Sequence, residues 1–232
     1  MTSKTLSFEV VRKETQPTPT TITFKRLIIA GWTGRDKLLL QHHIDEMRVM
    51  GVQAPATTPL YFRVTAPRLT HQQAIESPGT QSSGEVEFVL VKHAGEIFVG
   101  VGSDHTDNLF ESSGSTIAKQ MCEKPMARQL WALSDVEAHW DEIELRAWIE
   151  EAGVRTLYQE GKVVEMLHPR DLIDGLFDVD ETFEDGTALY GGTFSAIGGI
   201  RFATAFEFEI NDPVLNRRIG HRYTIDPLPI RG

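Results

Sequence analysis

The stretch Gly84-Glu85-Val86-Glu87-Phe88-Val89-Leu90-Val91, then Ala94-Gly95-Glu96, then Ile97-Phe98-Val99-Gly100-Val101-Gly102-Ser103-Asp104-His105-Thr106-Asp107, decides how the chain is read. Its first arm is apolar and β-branched, which predicts a buried strand. Ala94-Gly95-Glu96 supplies a turn, so the two arms make a hairpin. Side chains alternate faces along a strand; Glu85 and Glu87 therefore point one way and Val86 the other. Two carboxylates entering a core side by side repel each other and lose hydration, which folding tolerates when a positive charge lies between them. A hard divalent cation meets that need, since Mg²⁺, Mn²⁺ and Ca²⁺ take oxygen ligands. The second arm brings a third carboxylate toward the same end. The competing reading is an exposed edge strand whose glutamates are simply solvated.

The bulk properties set mild limits. A chain of 232 residues can bury one large core, and residues 1–232 are read as a single domain. The 41% hydrophobic and 24% charged content is that of a soluble globular protein. A net charge of −10 and a pI near 5.3 argue against nucleic acid or an anionic membrane as partner, because both need a basic face. No run approaches the roughly 18 apolar residues of a spanning helix, and Met1-Thr2-Ser3-Lys4 leads into no apolar signal region. The lone Cys122 excludes an internal disulfide and cysteine-type zinc sites, and fits a reducing cytoplasm.

Around the hairpin the pattern is strand-rich. Leu6–Val11 and Thr21–Ile29 read as strands, separated by a turn at Gln16-Pro17-Thr18-Pro19. Thr33 with Asp36 resembles a helix-start box, and Leu39, Leu40, Ile44, Met47 and Met50 fall at helical spacing before a C-capping Gly51. Leu60–Val64 reads as a strand, 65–83 as mostly loop with a short strand at Ala74-Ile75, and Thr116–Met121 as a strand ended by Pro125. A helix opens at Ser134-Asp135. Strands are expected at Ile143–Glu151 and Val154–Tyr158, then a turn at Gln159-Glu160-Gly161-Lys162. A helix starts at Pro169, and strands follow at Arg201–Ile210 and Gly220–Ile225. Many strands, few helices and no regular βαβ rhythm give an α+β, β-dominated fold.

Several side chains carry possible chemistry. His43 and Glu46 are three apart on the expected helix, so a carboxylate can orient an imidazole, as in a general base; a surface ion pair is the plainer alternative. Lys119, in Ile117-Ala118-Lys119-Gln120, is out of place in an apolar strand unless a carboxylate or an anionic ligand accompanies it. Lys124, beside Pro125, is read as solvated and Cys122 as a small core residue. Of the scattered histidines only His105 neighbours the proposed centre. Gly191-Gly192-Thr193 could offer backbone N–H groups and a hydroxyl to an anion, or be a plain tight turn. Walker, G-x-S-x-G and H-E-x-x-H sequences are absent.

In this order the pieces resemble the fumarylacetoacetate hydrolase superfamily, most closely its DUF2848 branch. The similarity is carried by Ala30-Gly31-Trp32-Thr33-Gly34-Arg35-Asp36 through His43-Ile44-Asp45-Glu46-Met47-Arg48-Val49-Met50-Gly51, then Pro55, Pro59 and Phe62. Gly84-Glu85-Val86-Glu87 looks like its paired-glutamate metal motif, and Val99–Asp104 like the strand that delivers a third carboxylate. Ala118-Lys119 and Gly192-Thr193 look like two further family motifs. The resemblance implies a mixed β-roll or sandwich with a few helices, metal ligands Glu85, Glu87 and Asp104, and a water-activating dyad of His43 and Glu46. It implies substrate contacts from Lys119 and Thr193, and a homodimer. Two departures stand out: the interval from Glu87 to Asp104 is short, and no arginine follows the aspartate. Asp107 remains a rival third ligand.

The implied activity is hydrolysis of a C–C bond in an acylpyruvate-like or 1,3-dicarbonyl small acid. Mg²⁺ (or Mn²⁺ or Ca²⁺) would chelate the oxo acid, His43 would deprotonate water, and a metal-bound enolate would leave. Arg35 and Arg63 are unranked candidates for a substrate carboxylate. The alternatives are decarboxylation, tautomerisation or hydration of a 2-oxo acid, and a non-catalytic protein with a structural metal.

Overall fold

The computed structural model describes residues 2–13, 15–49, 54–111 and 114–231, without the side chains of residues 43, 46, 47 and 49. Strands β1 (Lys4–Val11), β2 (Thr18–Phe24) and β3 (Arg26–Gly31) lead into helix α1 (Lys37–Val49) and strand β4 (Leu60–Val64). Short strands β5 (Leu69–Thr70), β6 (Ala74–Pro78) and β7 (Ser82–Ser83) precede the hairpin of β8 (Val86–His93) and β9 (Glu96–Ser103). Then come β10 (Thr106–Asp107), helices α2 (Asn108–Glu111) and α3 (Ser115–Met121), β11 (Lys124–Pro125), β12 (Gln129–Ala132) and α4 (Leu133–Val136). The chain closes with β13 (Glu144–Glu151), β14 (Val154–Lys162), α5 (Pro169–Gly175), β15 (Thr187–Tyr190), β16 (Ala205–Asp212) and β17 (Arg217–Leu228).

These strands form an eight-stranded sheet, ordered β2-β1-β12-β9-β8-β15-β3-β4, and a five-stranded sheet, ordered β14-β13-β16-β17-β6. The expected β-dominated α+β fold is what the chain adopts. The hairpin lies at the centre of the larger sheet: β8 pairs with β9 on one side and β15 on the other. Its turn at Ala94-Gly95 has positive φ at both residues, the twist that a two-residue hairpin loop demands.

The central strand is buried on both faces from Val86 to Val91, so apart from Glu87 that run is apolar rather than alternating. Val86, Phe88 and Leu90 pack with Leu145, Ala147, Phe206, Phe208 and Tyr223 of the smaller sheet, which lies across it. Val89 and Val91 face a second cluster with Phe8, Ile22, Phe24, Leu27, Ile29, Val64 and Tyr190, so the larger sheet also packs on its other side. Glu87 shares the parity of Val89 and therefore points into that second face, where its side chain needs polar company.

Several local expectations change. Thr116–Met121 is helical, not extended: Gly114 O accepts from both Ile117 N and Ala118 N, opening α3. The helix turns Ala118 and Lys119 inward while Ile117 remains exposed. The expected turn at Gln159–Lys162 is the end of β14, because a bulge opposite Ala147 and Trp148 inserts Tyr158 and buries it beside Gln159. Two adjacent buried residues break the alternation that would have marked a strand. Thr21–Ile29 is two strands, divided at Lys25 and lying apart in the sheet, and Thr18 and Pro19 belong to β2 rather than to a turn. The last two strands span Ala205–Asp212 and Arg217–Leu228. Asp36 is itself the cap of α1, its Oδ1 accepting from Leu38 N and Leu39 N at 2.8 and 3.1 Å. The proposed C-cap Gly51 lies outside the described residues. No described helix is long and apolar enough to cross a membrane.

Phe88 is fully buried with its ring edge-on to Trp140, the centroids 5.0 Å apart. Phe88→Ala should therefore cost about 3–5 kcal/mol, read from the urea midpoint. A loss below about 1 kcal/mol would show that the two sheets do not close on this ring.

Candidate metal centre and active site

The hairpin, helix α3 and strand β11 bring five charged groups together. Glu85 stands just before β8, Glu87 within it and Asp104 just after β9, and Asp104 N donates to Glu85 O at 3.0 Å. One oxygen from each carboxylate lies within 4.8 Å of the others. Asp107 goes elsewhere: its Oδ1 accepts from Phe110 N and caps α2. Asp104 is buried and Glu87 nearly so, whereas Glu85 keeps 35% of its side chain exposed, at the open edge of the cluster.

Two lysines answer these charges. Lys119 reaches in from α3, donates to Asp104 Oδ2 and lies 3.9 Å from Glu85 Oε2. The Phe62 ring centroid is 5.6 Å from its ammonium. Lys124 is the correction: it is completely buried rather than solvated, 3.0 Å from Asp104 Oδ1, and donates to His105 O. A short parallel pairing of β11 with β5 draws the Lys124 backbone inside, which one residue beside a proline does not reveal.

The electrostatics are lopsided. Burial pushes Glu85 up to about 7, with Asp104 and Glu111 adding to it and Lys119 opposing. Glu87 is driven well above the usual carboxylate range by burial first, then by Asp104 and Glu85. Burial acts the same way on Asp104, but Lys119 and Lys124 outweigh it and hold the carboxyl down at about 2. Lys119 is raised, because Asp104 and Glu85 overcome its burial. The cluster thus has one firmly ionised carboxylate and two that lack sufficient positive charge.

The surroundings fix the glutamates in place. Gly192 N donates to Glu87 Oε2 at 2.8 Å, from a backbone with φ +96° where a Cβ would lie 1.9 Å from Thr33 Oγ1. Only glycine fits there. Thr193 donates its hydroxyl to Val86 O at 2.7 Å and accepts from Gln159 Nε2 at 2.8 Å. Gln159 also accepts from Val86 N and donates to Phe194 O, so every hydrogen-bonding position of its amide but one lone pair is taken. This buried ring clamps the residue between the two glutamates. Its one sequence trace is a glutamine following Leu157-Tyr158, which reads as turn-forming until the bulge is known. Behind Asp104, His105 lies between Tyr223 Oη and Ser82 Oγ, both at 2.9 Å, and burial followed by Lys124 pulls it down to about 3. It is a neutral spacer in a buried polar network.

The other candidates are dispersed. His43 and Glu46 fall on α1, and their side chains lie outside the described residues. Arg35 pairs with Asp141 and donates to Met166 O, and Arg63 makes a two-oxygen contact with Glu181. Both guanidiniums are therefore engaged by protein groups. Phe62 faces Lys119, so Arg63, its neighbour on β4, points to the other face.

The donor set fits a hard cation. Ligand distances of about 2.0–2.6 Å let one ion touch oxygens up to about 5 Å apart, and three carboxylates with two raised toward neutrality leave a deficit of positive charge.

The comparisons agree with this arrangement. The family model described as "Protein of unknown function (DUF2848)" matches residues 30–223, and no curated protein matches the sequence. Among solved structures, a protein of Oleispira antarctica provisionally named a fumarylacetoacetate isomerase/hydrolase is 17% identical with a TM-score of 0.62, over 94% of this chain and 98% of that one. A Burkholderia cenocepacia protein provisionally named a fumarylpyruvate hydrolase is 15% identical with a TM-score of 0.62, over 96% and 95%. A 2-keto-3-deoxy-D-arabinonate dehydratase complexed with magnesium and 2,5-dioxopentanoate is 16% identical with a TM-score of 0.63, over 89% and 74%. At such identities the likeness is one of fold. The matched span contains α1, the glutamate pair, Asp104, both lysines and Thr193, and the chain belongs to the DUF2848 family, built on the fold of the fumarylacetoacetate hydrolase proteins.

Proposed function

We propose that this protein is a divalent-metal-dependent hydrolase that cleaves a C–C bond in an acylpyruvate-like or 1,3-dicarbonyl small acid. The observation that carries the reading is the convergence of half-buried Glu85 with buried Glu87 and Asp104, with Lys119 beside them. Those three carboxylates would hold Mg²⁺, Mn²⁺ or Ca²⁺, and when bound the ion supplies Lewis-acid polarisation of a substrate carbonyl. Lys119, between Asp104 and the partly exposed Glu85, would receive negative charge that develops on a substrate oxygen. His43, oriented by Glu46, takes the proton from the attacking water. Arg35 and Arg63 remain proposed carboxylate contacts that would have to leave Asp141 and Glu181. Thr193 has spent its one donor on Val86 O, so it can contact a substrate only as an acceptor. The proposed working form is a cytoplasmic homodimer.

A second reading keeps the cation and changes the outcome to decarboxylation, tautomerisation or hydration. The magnesium-bound dehydratase of the same fold favours keeping it open. Assays on a panel of acylpyruvates and 2-oxo acids, with and without chelator, distinguish the two. His43→Ala should reduce hydrolysis at least a hundredfold while solvent-deuterium exchange at the enolisable carbon persists; full hydrolysis in this variant would sink the first reading.

Metal-free protein should also show an inverted pH dependence. Glu85 is about 7 in the fold against 4.5 unfolded, and Glu87 is shifted in the same direction, so the stability they contribute is full below 4.5 and is lost as pH rises toward and past 7. Buried neutral His105 acts in the opposite sense over the same range, so the comparison is with Glu87→Gln: chelated wild type should lose more Tm than that variant between pH 5.5 and 8, and saturating Mg²⁺ should remove the extra loss. At a hundredfold excess over Kd the ion adds about 2.7 kcal/mol, several degrees of Tm. Glu87→Gln should lose the Mg²⁺ response yet match or exceed the wild type in chelator, since it removes a poorly compensated buried charge. A variant that still gains the full Mg²⁺ increment would remove Glu87 from the ligand set.

A further inference from the structure

Asp104 is held by two ammonium groups of different character. Lys119 approaches Oδ2 from α3, on the side of the partly exposed Glu85, whose Oε2 lies within 3.9 Å of its ammonium. Lys124 approaches Oδ1 from beneath, with no exposed side-chain surface and a second bond to His105 O. Its backbone is pinned by the pairing of Lys124 with Leu69 and of Pro125 with Thr70, and Tyr190 Oη reaches Lys124 O at 3.4 Å. Lys124 has no solvent to turn into.

From this geometry the structure assigns Lys124 a role in ligand selection: its ammonium is a positive charge built under the metal site, weakening its hold on a divalent cation and strengthening the loaded site's hold on an anionic 2-oxo acid. This rests on the reading of Glu85, Glu87 and Asp104 as a cation site. With a divalent cation bound, three carboxylates and two ammoniums leave the site with one net positive charge, which favours an anion; without Lys124 that charge would be zero. Before the cation arrives the same ammonium opposes its entry, whatever the protonation of Glu85 and Glu87. The two affinities must then move in opposite directions, because one fixed charge acts with opposite sign on a cation and on an anion in a weakly screened interior.

The test is titration calorimetry on the full-length protein, first with Mn²⁺ and then with oxalate added to the Mn²⁺-loaded form, for wild type, Lys124→Met and Lys124→Gln. Lys124→Gln keeps an N–H donor for Asp104 Oδ1 without the charge, so it carries the comparison if the methionine variant folds poorly. The expected result is Mn²⁺ binding tighter by about tenfold or more, and oxalate binding weaker by a similar factor. Loss of both affinities together, or no change in either, would overturn the inference and leave Lys124 as a structural ion-pair partner. Failure of the wild type itself to bind Mn²⁺ would overturn the metal site and this inference with it, and it is distinguishable because it appears before any substitution is made.

Discussion

The structure depends on one electrostatic constraint: three carboxylates converge where the fold has little water to offer. Burying an ionised carboxylate without a partner costs several kcal/mol, and the cost rises when two more sit beside it. Lys119 and Lys124 meet only part of that cost, since both serve Asp104 before the glutamates. Glu87, deeper than Glu85, receives one backbone N–H and the distant field of Lys119. A site so arranged is strained toward accepting a proton or a cation.

The fold makes the convergence possible by placing an apolar hairpin at the middle of a sheet packed on both faces. A strand paired on each edge has no freedom of register, so Glu85 and Glu87 cannot slip to the other face without inverting every valine around them. Gln159, Thr193 and Gly192 then tie the start of that strand to the segment after β15. The result is a rigid floor of strands, onto which α3 turns Lys119. Such rigidity suits an active site, because small errors in ligand placement are costly to catalysis.

Much of this was legible from the sequence. The paired glutamates, the hairpin turn and the strands around them follow from alternation and β-branching, and those signals are local. The reading of 116–121 as a strand failed because Ile117-Ala118-Lys119-Gln120 is too short for periodicity to separate helix from strand, and the deciding bonds come from Gly114. Lys124 was misplaced for a different reason. Its burial is fixed by pairing to Leu69, fifty-five residues earlier in the chain, and no pattern around Pro125 encodes that. Gln159 was hidden by a bulge, since an inserted residue cancels the two-residue period.

By itself the sequence determined that this is a strand-rich fold with an acidic pair on one strand and a third carboxylate returning beside it, because side-chain direction along a strand is a local property of the backbone. Only the tertiary structure decided which charges answer those carboxylates. Asp104 rather than Asp107 turns into the cluster, Lys124 as well as Lys119 lies on it, and Thr193 is bound to the strand. Each of those outcomes is set by contacts between distant segments, where burial makes the strength of a charge depend on neighbours that the chain does not place side by side.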